Sequence, residues 1–255
     1  MSDALQTDLS VHLPRGTTGL DQDAEWCIVE TDGERRRVLF HDYAELYRTP
    51  GLYESLFYET LECDSPQVVC SLLRETMEEQ GRDTGDLSVL DVGAGNGMVG
   101  EVLAEMGASP IVGVDIIEEA LEATERDRPD VYDDYHVVDL TDVSPEDDAA
   151  FRDHHFNAMV TVAALGFGDI PPQAFAQAYD YVEDGGLVVF NIKDRFLESG
   201  DPSGFRRMVN ELVDEGCMKP LAQRRYRHRL SMTGKPLHYF AHVCEKRGPV
   251  PSHWL

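Results

Sequence analysis

Hydrophobic positions recur along this 255-residue chain with two periods, and the change from one to the other divides it. After a loose stretch carrying Pro14, Gly16 and Gly19, the run Trp26-Cys27-Ile28-Val29, a turn at Asp32-Gly33 and the run Val38-Leu39-Phe40 predict a hairpin. Apolar positions then fall three and four apart. Tyr43 and Tyr47 share a helical face, and Leu52, Tyr53, Leu56, Phe57 and Leu61 keep the period. Ser65 as N-cap and Pro66 at the first helical position open another helix, with Val68, Val69, Leu72, Leu73 and Met77 inward.

From about residue 87, short β-branched runs alternate with helical patterns. The predicted strands are 88–92, 111–115, 136–139, 158–162 and 187–192, and between the first two Val99, Val102, Leu103 and Met106 form a helical stripe stopped at Gly107. This alternation predicts a doubly wound α/β fold, a parallel sheet with helices on both faces that binds ligands above the carboxyl ends of its strands. A helix near 205–215 leads to strands near 221–229 and 237–243, joined by Thr233-Gly234-Lys235-Pro236. So short a connection forces an antiparallel pair. The expected organisation is a hairpin and helical cap at 1–82, a ligand-binding α/β domain at 83–247, and a surface tail at 248–255.

Charge narrows the function. With 48 acidic against 22 basic residues the formal net charge is -26. Such a surface repels phosphate, which argues against nucleic acid and anionic lipid as partners. Lysine occurs only at 193, 219, 235 and 246. Carboxylate excess with scarce lysine fits a halophilic, high-salt cytoplasm in which screening removes self-repulsion, although an arginine-rich, GC-biased genome gives the same counts. No apolar run is long enough to span a bilayer, Met1 to Ser10 is unlike a signal peptide, and the five cysteines are scattered without C-x-x-C spacing. A cytoplasmic location with reduced thiols is the expectation, with no metal site.

After the first parallel strand stands Asp91-Val92-Gly93-Ala94-Gly95-Asn96-Gly97. Glycines at alternate positions let the backbone turn tightly and approach a ligand, and the helix opening near Asn96 offers unpaired N–H groups. Asp115 closes the second strand, where an acid can chelate ribose hydroxyls, and Asp139-Leu140 closes the third, where an acid can meet an adenine amino group and a leucine can cover the ring. NAD-binding turns prefer G-x-G-x-x-G, and the third glycine here falls one place earlier.

On these residues the chain resembles the class I S-adenosylmethionine-dependent methyltransferases. Their hydrophobic strand followed by acid-x-Gly-x-Gly-x-Gly is met by Val89 to Gly97, their second-strand acid by Asp115, and their adenine-contacting pair by Asp139-Leu140. Phe156-Asn157-Ala158 departs from their Phe-Asp-Ala, and Asp184 replaces the proline of their Pro-Gly-Gly turn. The run from Val162 to Pro171 resembles a subgroup akin to the Williams-Beuren region methyltransferase-like protein. The resemblance covers about residues 87–245. It implies a Rossmann-like seven-stranded sheet with an antiparallel last strand. It also implies S-adenosyl-L-methionine as cofactor, S-adenosyl-L-homocysteine as product, and cofactor contacts from Asp91, Gly93, Ala94, Gly95, Asp115, Ile116, Asp139, Leu140 and Val162.

The family's N-terminal lid points to Tyr43 and Tyr47 as further cofactor residues, with cation–π cover of the sulfonium, although an aromatic stripe that packs helices looks the same. The fourth strand lacks the Asn/Asp-Pro-Pro-Tyr/Phe run of base and amide N-methylation, which leaves a small-molecule acceptor as the reading. No general base is assigned; His41 and Tyr43 are the candidates. His238 and His242 share a strand face but lack a third ligand nearby. Lys193, Asp194 and Arg195 border the acceptor end or form a solvated loop. Arg224, Arg225, Arg227 and Arg229 make a basic strand expected to face solvent or an acidic acceptor. Two rivals stand beside the enzyme: a non-catalytic S-adenosylmethionine-binding sensor or assembly protein, and a nucleotide-dependent oxidoreductase.

Overall fold

Asp32 and Gly33 both take positive φ, 52° and 82°, the backbone that a two-residue hairpin requires. They join β2 (Trp26–Thr31) to β3 (Glu34–Leu39), and β1 (Leu9–His12) adds an antiparallel third strand. The computed structural model describes residues 9–14, 20–197, 200 and 202–255; Gly16 and Gly19 lie outside them. By packing the chain falls into two units, one of residues 1–64 with 227–237 and one of 65–226 with 238–255.

The smaller unit holds β1 to β3, α1 (Tyr43–Arg48) and α2 (Leu52–Glu54), which continues as a π-helical turn over Ser55–Thr60. Asp42 caps α1 by accepting the Glu45 N–H. Tyr43 and Tyr47 do share a face, their rings stacked at 6.2 Å. The core of this unit is Cys27, Val29, Val38, Phe40, Leu46, Leu52, Leu56 and Leu61.

The larger unit is built on α3 (Ser65–Glu79), β4 (Val89–Val92), α4 (Met98–Glu105), β5 (Ile111–Asp115), α5 (Glu118–Asp127), β6 (Asp134–Val137), α6 (Pro145–Asp153), β7 (Ala158–Thr161), α7 (Pro172–Tyr181), β8 (Leu187–Lys193) and α8 (Phe205–Asp214). β9 (Met218–Leu230) and β10 (Pro236–Lys246) complete it, save that the hairpin tip counts with the smaller unit. The strand order is β6-β5-β4-β7-β8-β10-β9; β4 to β8 pair in parallel and β10 runs antiparallel to β8. This is the seven-stranded, doubly wound sheet expected. The chain reverses direction of travel between β4 and β7, and a ligand crevice opens above such a reversal.

The inner strands are buried on both faces. Leu90 and Val92 join the core of α6, α7 and α8, while Val89 joins the core of α3 and α4. Asn157 explains its own departure from the family pattern, because its amide does two jobs. Oδ1 accepts the Ser88 N–H at 2.9 Å and Nδ2 donates to the Asp86 carbonyl at 2.7 Å, which ties the start of β7 to the start of β4.

Packing corrects four expectations. α3, expected with the cap, buries Val69, Leu72, Leu73 and Met77 in the sheet's core, so the division falls at 64/65 instead of 82/83. The Ser65 expected as its N-cap is the first helical residue, with its hydroxyl 2.7 Å from Tyr226 Oη. The tail expected at the surface buries Val250 and Trp254 against α7 and α8. The arginine strand faces solvent only in part: Arg224, Arg225 and Arg227 stay at least partly exposed and pair with Glu75, Asp194 and Glu62, but Arg229, only 2% exposed, pairs with buried Glu25.

All five cysteines are free thiols, and burial pushes Cys27, Cys70 and Cys244 above the ordinary thiol range. No helix among the described residues is long and apolar enough to cross a membrane.

Candidate active site

The glycine turn is clamped from both sides. Gly93 and Ala94 donate to the Val114 carbonyl at 2.9 and 3.1 Å, which folds the chain back over β5. Gly93 has φ 71°, and a Cβ there would meet Ala164 Cβ and Ile170 Cδ1 at 3.0 Å, so glycine is required by both conformation and space. The Gly95 N–H reaches Asp115 Oδ2 at 2.9 Å. The Gly95 carbonyl accepts from Thr124 Oγ1 and Tyr135 Oη, both at 2.8 Å, and the Asn96 carbonyl accepts from Arg128 Nη1 at 3.0 Å. α4 starts at Met98 with Gly97 as its N-cap, two residues beyond the expected Asn96.

Asp91 lies beneath this turn, 1% exposed. Tyr132 Oη donates to its Oδ2 at 2.7 Å, but its Oδ1 is buried with no hydrogen-bond partner among the described residues. Burial is the main cause that pushes the Asp91 carboxyl up to about 7; the Tyr132 bond works downward and the neighbouring Asp115 charge upward. Asp115 is also raised, again chiefly by burial, and is restrained by the Gly95, Ile117 and Ile116 N–H groups. A carboxylate oxygen has two lone pairs, so these bonds orient Asp115 and still leave it able to accept a ligand hydroxyl. Ile116 beside it is 60% exposed.

Asp139 requires correction. β6 runs Asp134–Val137, two residues earlier than expected, so Asp139 stands in the turn beyond the strand. It is exposed, its Oδ1 accepts the Thr141 N–H and hydroxyl at 2.8 and 2.7 Å, and these bonds hold its carboxyl below the usual range. Leu140 and Val162 are buried in the two cores, and Val162 is one place past the end of β7. Just after it Ala163 is left-handed at φ 61°; its N–H donates to Asn191 Oδ1 at 2.6 Å, and Asn191 Nδ2 in turn meets Tyr226 Oη at 2.5 Å. The structure thus brings Asp91, Gly93, Ala94, Gly95 and Asp115 together, with Ile116 alongside. His41, Tyr43 and Tyr47 belong to the smaller unit.

Sequence reasoning missed Tyr132, Tyr135, Thr124 and Arg128. The available signal was two glycines with no turn to make. A Cβ at Gly100 in α4 would meet the Tyr132 ring at 2.7 Å, and one at Gly113 in β5 the Tyr135 ring at 2.8 Å. Gly100→Ala is therefore expected to destabilise by about 1–3 kcal/mol despite alanine's better helix propensity, because overpacking displaces the ring that holds Asp91. Urea denaturation showing a gain in stability would contradict this contact.

The family model described as a methyltransferase domain matches residues 63–243. The chain belongs to that family. Among solved structures this methyltransferase is similar to an S-adenosylmethionine-dependent methyltransferase from Clostridium acetobutylicum ATCC 824, with a TM-score of 0.53 at 12% identity over 77% of this chain and 97% of that one. It is similar also to a protein of Pyrococcus horikoshii provisionally described as an RNA methyltransferase, with a TM-score of 0.52 at 14% identity over 80% and 88%. No curated protein matches. At these identities the likeness is one of fold. Family and sheet order together make it a class I methyltransferase, a class whose cofactor is S-adenosylmethionine.

Two observations test whether the residues fit that cofactor. The unpartnered Asp91 oxygen needs a donor, which an amino-acid ammonium group is. Gly93, Gly95 and Gly97, all at positive φ, leave three positions of the turn above it without side chains. The residues fit.

Proposed function

We propose that this methyltransferase moves the methyl group of S-adenosylmethionine to a small-molecule acceptor. The buried, half-satisfied carboxylate of Asp91 under the glycine turn carries the reading. S-adenosylmethionine is net positive, with a sulfonium, an ammonium and one carboxylate, and supplies an electrophilic methyl. Asp91 takes the ammonium, Gly93 and Gly95 let the backbone pass beside the methionine half, and Asp115 accepts from the ribose. The exposed Ile116 offers apolar cover to adenine. Asp139 reaches the adenine amino group only by turning away from Thr141. For an in-line displacement the protein has chiefly to hold the nucleophile about 3–3.5 Å from the methyl and exclude water. The net charge of -26 supports an acceptor that is not a nucleic acid.

Asp115→Ala is expected to weaken S-adenosylmethionine binding at least tenfold, about 1.5 kcal/mol, the scale of a hydrogen bond to a charged group. Calorimetry with the cofactor and its 2′-deoxy analogue separates ribose contact from loop support: the parent should discriminate between them and the variant should not. Unchanged affinity would remove Asp115 from the site. Turnover is tested by S-adenosylhomocysteine release across an acceptor library. His41→Ala and Tyr43→Phe, assayed with any acceptor found, test the candidate bases: loss of the acidic limb of the rate profile would identify one.

A further inference from the structure

At the edge strand β6, two strands over from β4 and its glycine turn, three side chains of ligating type converge. Asp134 and His136 are two apart on β6 and therefore share a strand face. His154 follows the last residue of α6, beside the start of β4, where its carbonyl accepts from Ser88 Oγ. One oxygen or nitrogen from each lies within 4.8 Å of the other two, and His136 Nε2 stands 3.2 Å from Asp134 Oδ2. It is the only such group of three among the described residues.

We propose that Asp134, His136 and His154 bind one divalent transition-metal ion, zinc being the best match, as a structural clamp between the edge strand and the end of α6. Two imidazoles and a carboxylate are the donor set of a borderline-soft dication, and bonds of about 2.0–2.2 Å place tetrahedral ligands about 3.3–3.5 Å apart. The His136–Asp134 separation of 3.2 Å is already close to that, and the His154 nitrogen lies within 4.8 Å of both. Both imidazoles are already held by flat partners: His136 packs on the Phe151 ring at 4.7 Å, and His154 stacks on Phe156 at 5.2 Å and 23°. The Asp134 carboxylate is divided the same way, with Oδ1 accepting the Tyr135 N–H and Oδ2 turned to His136. His136 Nε2 is buried and makes no hydrogen bond of proper geometry despite that neighbour, which leaves its lone pair for a metal. A fourth position is left to water, since Asp134 is exposed. Such an ion ties together the two ends of the segment from 134 to 154, which carries Asp139 and Leu140.

The test uses tag-free, chelator-treated full-length protein. Titration with zinc is expected to show one site per chain with a Kd below about 1 μM, a raised melting temperature, and, with cobalt, the visible absorption of tetrahedral coordination. His154→Phe keeps the stacking on Phe156 and removes one ligand; together with His136→Gln it should weaken binding at least a hundredfold while S-adenosylmethionine affinity stays unchanged. Absence of zinc binding up to about 100 μM would overturn the site. So would binding undiminished in the double variant, or binding displaced by millimolar calcium, since either assigns the ion to the acidic surface.

Discussion

Asp91→Asn is expected to make the cofactor-free protein more stable at pH 8 while abolishing tight S-adenosylmethionine binding. Burial holds the Asp91 carboxyl at about 7 in the folded chain against 3.8 as an isolated group. The folded state therefore binds a proton more readily than the unfolded state, and this group's contribution to stability falls as pH rises from about 4 to about 7. Above that window the folded protein carries a buried, half-satisfied charge, at a cost on the order of 4 kcal/mol. Asparagine removes the charge and still accepts from Tyr132 Oη. Urea denaturation should show the variant ahead at pH 8 and level with the parent near pH 4.5. Equal differences at both pH values would show that ionisation is not the cause.

The same carboxylate accounts for the loss of function. Only its charged form pairs with an ammonium, and a charge-assisted bond contributes about 1.5–3 kcal/mol, so the variant should bind at least tenfold more weakly. In the parent, affinity should climb up to tenfold per pH unit below 7 and level off above it, with a proton released on binding near pH 6.5. Calorimetry in two buffers of different ionisation heat reads that proton directly. Both outcomes together would show a group kept at a cost to the fold because the ligand supplies its partner.

The architecture was readable because the inner strands are short β-branched runs between helices of clear period, and because the turn at 91–97 can be made by almost nothing else. The supporting residues were not. Tyr132, Tyr135, Thr124 and Arg128 act on a loop roughly 30 to 40 positions away, at separations no local period reveals. Only the absent side chains at Gly100 and Gly113 mark where two rings pack. Asp139 was misplaced because His136-Val137-Val138 looks like a strand interior, whereas pairing stops at Val137, itself 40% exposed. Arg229 was misplaced because strand alternation sorts faces only while one sheet surrounds the strand. By residue 229, β9 has entered the hydrophobic core of the smaller unit, where the guanidinium lies over the Phe40 and Phe57 rings.

That buried guanidinium sets the second large effect. Arg229→Met is expected to destabilise the smaller unit by about 3–5 kcal/mol, the range for breaking a buried ion pair from one side. Glu25 is 3% exposed and accepts from Arg229 Nη2 and from the Met232 N–H, each at 2.7 Å, while Arg229 Nη1 donates to the Leu230 carbonyl at 2.8 Å. With the arginine gone, Glu25 keeps one neutral donor and a buried negative charge. The double variant Glu25→Gln/Arg229→Met removes that charge and retains an acceptor for Met232, so it should be more stable than Arg229→Met alone, which is the reverse of additive damage. The readout must follow the correct unit, because the two need not unfold together. Of the chain's two tryptophans, Trp26 lies in the smaller unit and Trp254 in the larger, so Trp254→Phe leaves Trp26 fluorescence as a local reporter. If the two substitutions simply add in that background, Glu25 and Arg229 are neighbours without energetic coupling, and the stability of the smaller unit rests on its aromatic core alone.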